Sequence, residues 1–189
     1  MEKYLYLTEV EWSDTWINGG EIPLYLASTY LSDERNGTQT PDENLIHESN
    51  FDVPRLQQYG INIGKGVSNI KLTNCKFNGK SLPNIHIVDY RSEDGLILSF
   101  CNIFDEGIGK KLGKKCCVKI KDIEVLRKTI DKQLGCKGKM GDCKYTEYHQ
   151  RNHFLKSAED SWQNEYRIFW KLTENKMVKI PAGIAELVA

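Results

Sequence analysis

The sequence has no apolar run approaching the roughly 18 residues of a membrane span, which excludes a transmembrane helix. Its first residues, Met1-Glu2-Lys3-Tyr4, lack the basic and apolar regions of a secretory leader, so a cytoplasmic protein is expected. Its six cysteines are then expected as thiols rather than disulfides. There is no internal repeat, low-complexity tract or Pro/Ser-rich linker, which leaves one domain over residues 1–189. Phosphate-loop chemistry is also missing. Gly60-Ile61-Asn62-Ile63-Gly64-Lys65-Gly66 has the glycines but neither the following Ser/Thr nor the helix. No Ser-centred nucleophile elbow is present. The last absence is net charge: 26 basic and 26 acidic residues cancel, which argues against a dispersed polycation or an acidic disordered tail.

That zero hides two opposed blocks. Residues 1–52 hold eleven acidic and two basic side chains, whereas residues 107–144 hold twelve basic and four acidic. The basic block includes Lys110, Lys111, Lys114, Lys115, Arg127 and Lys128. It lacks the interleaved aromatics of a base-stacking platform. Phosphate tracking along a nucleic acid, or docking of an acidic protein, is the partner chemistry it suits. A solvated face paired with the acidic head suits the same residues. At 40% hydrophobic and 10% aromatic, the chain can bury a core.

Local patterns predict an α+β fold, a single domain with a mostly antiparallel sheet and few helices. Tyr4–Val10 and Ile22–Ser28 read as strands, and Ser32–Asn50 as a long polar loop. Ile70–Phe77 runs into the turn dipeptide Asn78-Gly79. Ile85–Arg91 and Leu96–Cys101 read as a hairpin around Ser92-Glu93-Asp94-Gly95. Tyr166–Leu172 and Met177–Ile180 read as another. Asp122 as cap, apolar residues at 123, 126, 130 and 134, and Gly135 as stop define the best helix, with Arg127 and Lys128 on its outer face.

The most informative stretch runs from Lys156 to Arg167. A strand starting near Gln163 would turn Gln163, Glu165 and Arg167 to one face, and Tyr166, Ile168 and Trp170 to the other. Gln163-x-Glu165 at a strand edge resembles the glutamine/glutamate-x-glutamate element of the ADP-ribosyltransferase superfamily. The resemblance implies a split-sheet fold, with NAD as co-substrate and Glu165 as the catalytic carboxylate. It implies that Glu165 stabilises the oxocarbenium-like transition state as nicotinamide leaves, with Gln163 orienting the acceptor. A second element of that family is a Ser-ended strand supporting the nicotinamide end of NAD. Both Tyr25-Leu26-Ala27-Ser28-Thr29-Tyr30 and Leu96-Ile97-Leu98-Ser99 match it, and Arg167 joins them as a cofactor-binding candidate. The third element, an Arg or His on the first strand, has no counterpart among Lys3, Tyr4 and Tyr6.

By this resemblance the chain is an effector or toxin that ADP-ribosylates nucleic acid or protein, with a neutralising partner. Glu165→Gln should then abolish NAD-dependent labelling and leave thermal stability near wild type. The alternatives are a solvated strand face carrying an ion pair, and a non-catalytic binding or inhibitory module of the phage or defence kind. Such a module would grip its partner with the basic surface and exposed Trp12 and Trp16. Cys136, Cys143, His149 and His153 have residue types suited to zinc. Their first gap is too wide for a usual site, so buried or incidental thiols are the reading preferred over a metal.

Overall fold

Two-residue periodicity in the central strands decides which face becomes core. The chain is described here by a computed structural model covering residues 1–31 and 43–189, so most of the predicted 32–50 loop lies outside the described residues. In chain order the elements are β1 (Lys3–Leu7), α1 (Trp12–Asn18), β2 (Gly20–Leu26), β3 (Leu45–His47), β4 (Val67–Leu72), β5 (Lys76–Phe77), β6 (Lys80–Ser81), β7 (Ile85–Ser92) and β8 (Leu96–Cys101). They continue with α2 (Glu106–Lys111), β9 (Cys116–Ile120), α3 (Ile123–Leu134), β10 (Lys139–Asp142), β11 (Lys144–Thr146), β12 (Leu155–Ser157), β13 (Glu165–Trp170), β14 (Lys176–Ile180) and β15 (Ala185–Leu187). Short 3₁₀ helices cover Ala27–Tyr30, Val53–Tyr59 and Ala158–Gln163.

The fold is α+β, with mostly antiparallel sheets. Six strands lie side by side in the order β10-β13-β8-β1-β9-β15, every neighbouring pair antiparallel. β2 pairs with both β8 and β14. A smaller sheet, β3-β7-β4, stands apart. Leu5 and Leu7, Leu96 and Phe100, and Tyr166, Ile168 and Trp170 pack on one face of the main sheet against Ile123, Leu126 and Ile130 of α3. No helix among the described residues is long and apolar enough to cross a membrane.

The α3 signals act as read: Asp122 accepts the Glu124 N–H, and Gly135 takes the left-handed conformation. Asn78 and Gly79 both have positive φ, the requirement of a type I′ turn between β5 and β6.

Both larger hairpins dissolve into crossovers. β7 joins the small sheet and β8 the main one. Asp94, between them, is claimed by the end of β2: it accepts the Ser28 N–H at 3.0 Å and the Ser28 hydroxyl, while Gly95 O accepts the Ala27 N–H at 2.8 Å. Likewise β14 leaves β13 for β2, guided by Asn175, whose side-chain oxygen accepts the Leu26 N–H. The segment between Cys136 and Cys143, read as a turn, contains β10. Gly138 can lie against the Trp170 indole because it has no side chain, and its N–H shares the Asp131 carboxylate with the indole N–H. Leu45–His47, read as loop, is a strand. Trp16, read as exposed, is core, while Trp12 is exposed.

Candidate active site

The opposite face of the central strands is polar. Pairing sets Arg167 across from Ser99, Glu165 across from Cys101, and Cys101 across from Tyr4. With Tyr6 further along β1, the three adjacent strands β13, β8 and β1 supply one wall of a cavity of about 220 Å³. Tyr30, Glu43, Lys114, Lys156 and Gln163 line it from outside the sheet. Strand β13 starts at Glu165 rather than near Gln163; Gln163 ends a 3₁₀ helix, and left-handed Asn164 turns the chain into the strand. The residues predicted to share a face nevertheless meet.

Glu165 is buried and held from several sides. Arg167 donates to it through Nε at 2.7 Å and Nη2 at 3.2 Å, and Lys156 Nζ lies 2.9 Å away. Its own N–H donates to the Tyr145 hydroxyl at 2.8 Å. Burial alone would raise the Glu165 carboxyl; the Arg167 and Lys156 charges, with hydrogen bonds from Arg167 and Ser99, override it and bring the pKa down to about 2. The carboxylate is thus ionised and fixed in direction. Arg167 also contacts Glu43 and donates to the His153 carbonyl at 3.0 Å, so all three nitrogens of its planar fork are engaged within the protein. Lys156 further donates to Gln163 Oε1 at 2.7 Å, and Gln163 Nε2 donates to Asp160 at 3.3 Å.

On the tyrosine side, the Tyr6 hydroxyl donates to Asp105 O and accepts the Asp105 N–H, and burial pushes its phenol up to about 12. Lys3 takes the other face of β1, donating to Asn102 and lying over the Tyr166 ring. The first strand therefore offers the cavity two phenols and no cation.

Of the expected site residues, Gln163, Glu165, Arg167, Ser99 and Tyr30 come together. Tyr25 is exposed on β2, Thr29 is exposed, and Ser28 is bound to Asp94; none of these lines the cavity. Arg167 contacts carboxylates of its own chain, which makes it a positioning residue for Glu165. The expectation that Glu165→Gln spares stability is corrected by this geometry. Removing the charge leaves Arg167 and Lys156 under-compensated in a buried site, a change that costs on the order of 3–5 kcal/mol. Glu43, Lys156, Tyr4 and Tyr6 were missed as site residues. Lys156 lay within the informative stretch, but nothing marked Glu43 inside a long polar segment.

The basic block is largely paired. Lys115 bonds Glu9 and Lys119 bonds Glu2, both from the acidic head. Arg127, expected on a docking surface, is buried and clamped by Glu124 and Asp131 one helical turn either side. Lys128 pairs with Glu124, and Lys110 with Glu106 at 4.0 Å. Lys111 lies over the Trp162 ring, and Lys114 turns into the cavity, donating to Thr8. The zinc candidates disperse: Cys136 packs on the core, Cys143 is buried, His149 lies tilted against His47, and His153 stacks on Phe169. Among the described residues no group of three or more His, Cys, Asp or Glu is placed to hold a metal.

No protein-family model, no curated protein and no solved structure matches this chain.

Proposed function

We propose that the cavity binds the nicotinamide–ribose end of NAD and that the chain transfers ADP-ribose to a macromolecule, with Glu165 as the catalytic carboxylate. The observation that carries this reading is the convergence of Ser99 on β8 and Glu165 on β13, neighbouring strands, around one cavity walled on its third strand by Tyr4 and Tyr6. As the bond between ribose C1′ and the nicotinamide nitrogen breaks, positive charge develops on the sugar. A carboxylate kept ionised and immobile beside it stabilises that charge without reorganising. Arg167 and Lys156 hold Glu165 in place, and the phenol rings give the nicotinamide an apolar, stackable wall. At about 220 Å³ the cavity is below the roughly 300–1,000 Å³ that encloses a drug-sized ligand, which suits one end of a dinucleotide with the remainder outside. In this reading the lysines of α2 and Lys114 flank the bound phosphates or an acidic or nucleic-acid acceptor.

One observation favours a second reading, a binding module without catalysis: Arg167 and Lys156 already occupy both oxygens of Glu165. The ribose hydroxyl would have to share an oxygen or displace Lys156. Incubation of lysate with NAD labelled in the adenylate half separates the two. Labelled nucleic acid or protein is expected with wild type, and Ser99→Ala, which removes one hydrogen bond to Glu165, should lower the rate about tenfold while the protein stays folded. An unlabelled lysate with folded wild-type protein would leave the binding module standing.

A further inference from the structure

Glu43 is the second carboxylate of the cavity. It precedes β3, is buried at 6% exposure, and lines the same space as Glu165 and Ser99. Its Oε1 lies 2.5 Å from Arg167 Nη2, the nitrogen that also donates to Glu165 Oε2 at 3.2 Å. One guanidinium therefore holds two carboxylates against one cavity, but unequally. Glu165 receives the two-nitrogen fork and Lys156, whereas Glu43 meets Arg167 through Nη2 alone.

The groups facing Glu43 are Arg167 and Glu165 on β13, Lys156 on β12, Tyr30 beyond β2, Cys143 between β10 and β11, and the His153 ring against its backbone. Burial pushes the Glu43 carboxyl above its ordinary value, and the Glu165 charge adds to this, against the pull of Arg167 and Lys156. Two carboxylates driven apart by their surroundings divide labour. One stays ionised as an electrostatic group, and the other exchanges a proton.

Transfer of ADP-ribose leaves one proton to place. The C1′–N bond breaks with its electron pair going to the ring, which departs as neutral nicotinamide. The acceptor's lone pair forms the new bond to C1′, and the acceptor must then release its O–H or N–H proton. We propose that Glu43 is the general base that accepts this proton, an inference that rests on the NAD reading of the cavity. The electron pair of the O–H or N–H bond stays on the acceptor atom, and Glu43 becomes a neutral carboxylic acid. The acceptor class follows: a hydroxyl or N–H group, as on a sugar, a base or an amide, rather than a carboxylate, which has no proton to give.

The test follows transfer at saturating NAD across a pH series, with NAD affinity measured alongside. Wild-type transfer should fall as the pH drops through the raised Glu43 value. Glu43→Gln should transfer at least about 100-fold more slowly and lose that limb. Added formate should restore the rate of Glu43→Gly, which a purely structural role would not permit. If Glu43→Gln transfers at the wild-type rate, or loses only NAD affinity, the inference falls while the NAD reading stands. If folded wild type neither binds nor cleaves NAD, that reading falls and takes the inference with it. Should Glu43→Gln fail to fold, a wild-type profile flat through the acid range overturns the proposal.

Discussion

Charge pairing at Glu165 and burial at His153 each make stability fall on acidification, while the raised Glu43 carboxyl works in the opposite sense. His153 is stacked on Phe169 with ring centroids 3.8 Å apart, and burial outweighs the nearby Glu93 to bring its pKa down from 6.5 to about 4. The folded state thus favours the neutral ring, and that stability is present above pH 6.5 and lost as pH falls toward 4. The depressed Glu165 carboxyl acts lower on the scale. Its contribution is present above its ordinary 4.5 and lost as pH falls toward 2. Thermal midpoints should therefore decline in two stages on acidification. His153→Phe should flatten the first stage and spare the second; an unchanged first stage would remove His153 from the account.

At the scale of elements, the decisive features are the crossovers that bring β8 between β1 and β13. Gly95 begins that passage in close quarters, since a Cβ there would stand 2.4 Å from the Phe169 ring and 2.6 Å from Trp170 O. Gly95→Ala should destabilise the protein by at least about 1–3 kcal/mol, read as a lowered denaturation midpoint. An unaltered midpoint would mean that the Phe169 ring and the Trp170 backbone both shift to admit the methyl group. Local signals were legible where the physics is local: the Asp122 cap and Gly135 stop of α3, the Asn78-Gly79 turn, and the alternation of Glu165 and Arg167 against Tyr166, Ile168 and Trp170. Pairing partners were not legible. Whether Leu96–Cys101 pairs with its neighbour in sequence or with strands about 95 residues before and 65 after it depends on Asp94 being held by Ser28, a contact between distant segments. For the same reason the choice between Ser28 and Ser99 stayed open, and Glu43 carried no mark of its place in the cavity, whereas Lys156 at least lay in the informative stretch.

For the whole molecule, the neutral total is the sum of an acidic head and a basic block that partly neutralise each other across β1 and β9, through Lys115–Glu9 and Lys119–Glu2. What remains exposed to a partner lies on α2, on the outer side of α3 and in the segment after it, where Lys110, Lys128, Lys137 and Lys144 have exposed side chains. Burial of Arg127 and the inward turn of Lys114 subtract from the basic surface that the sequence suggested, and the chain just after α2 reaches the cavity through Leu112 and Lys114. The central claim is that this cavity receives the nicotinamide–ribose end of NAD. Titration of NAD into isotopically labelled protein, followed residue by residue by NMR, tests it most directly. The account predicts saturable shifts concentrated at Tyr4, Tyr6, Tyr30, Ser99 and Lys114, displaced by excess nicotinamide. Shifts confined to another surface, or none at saturating NAD, would contradict it.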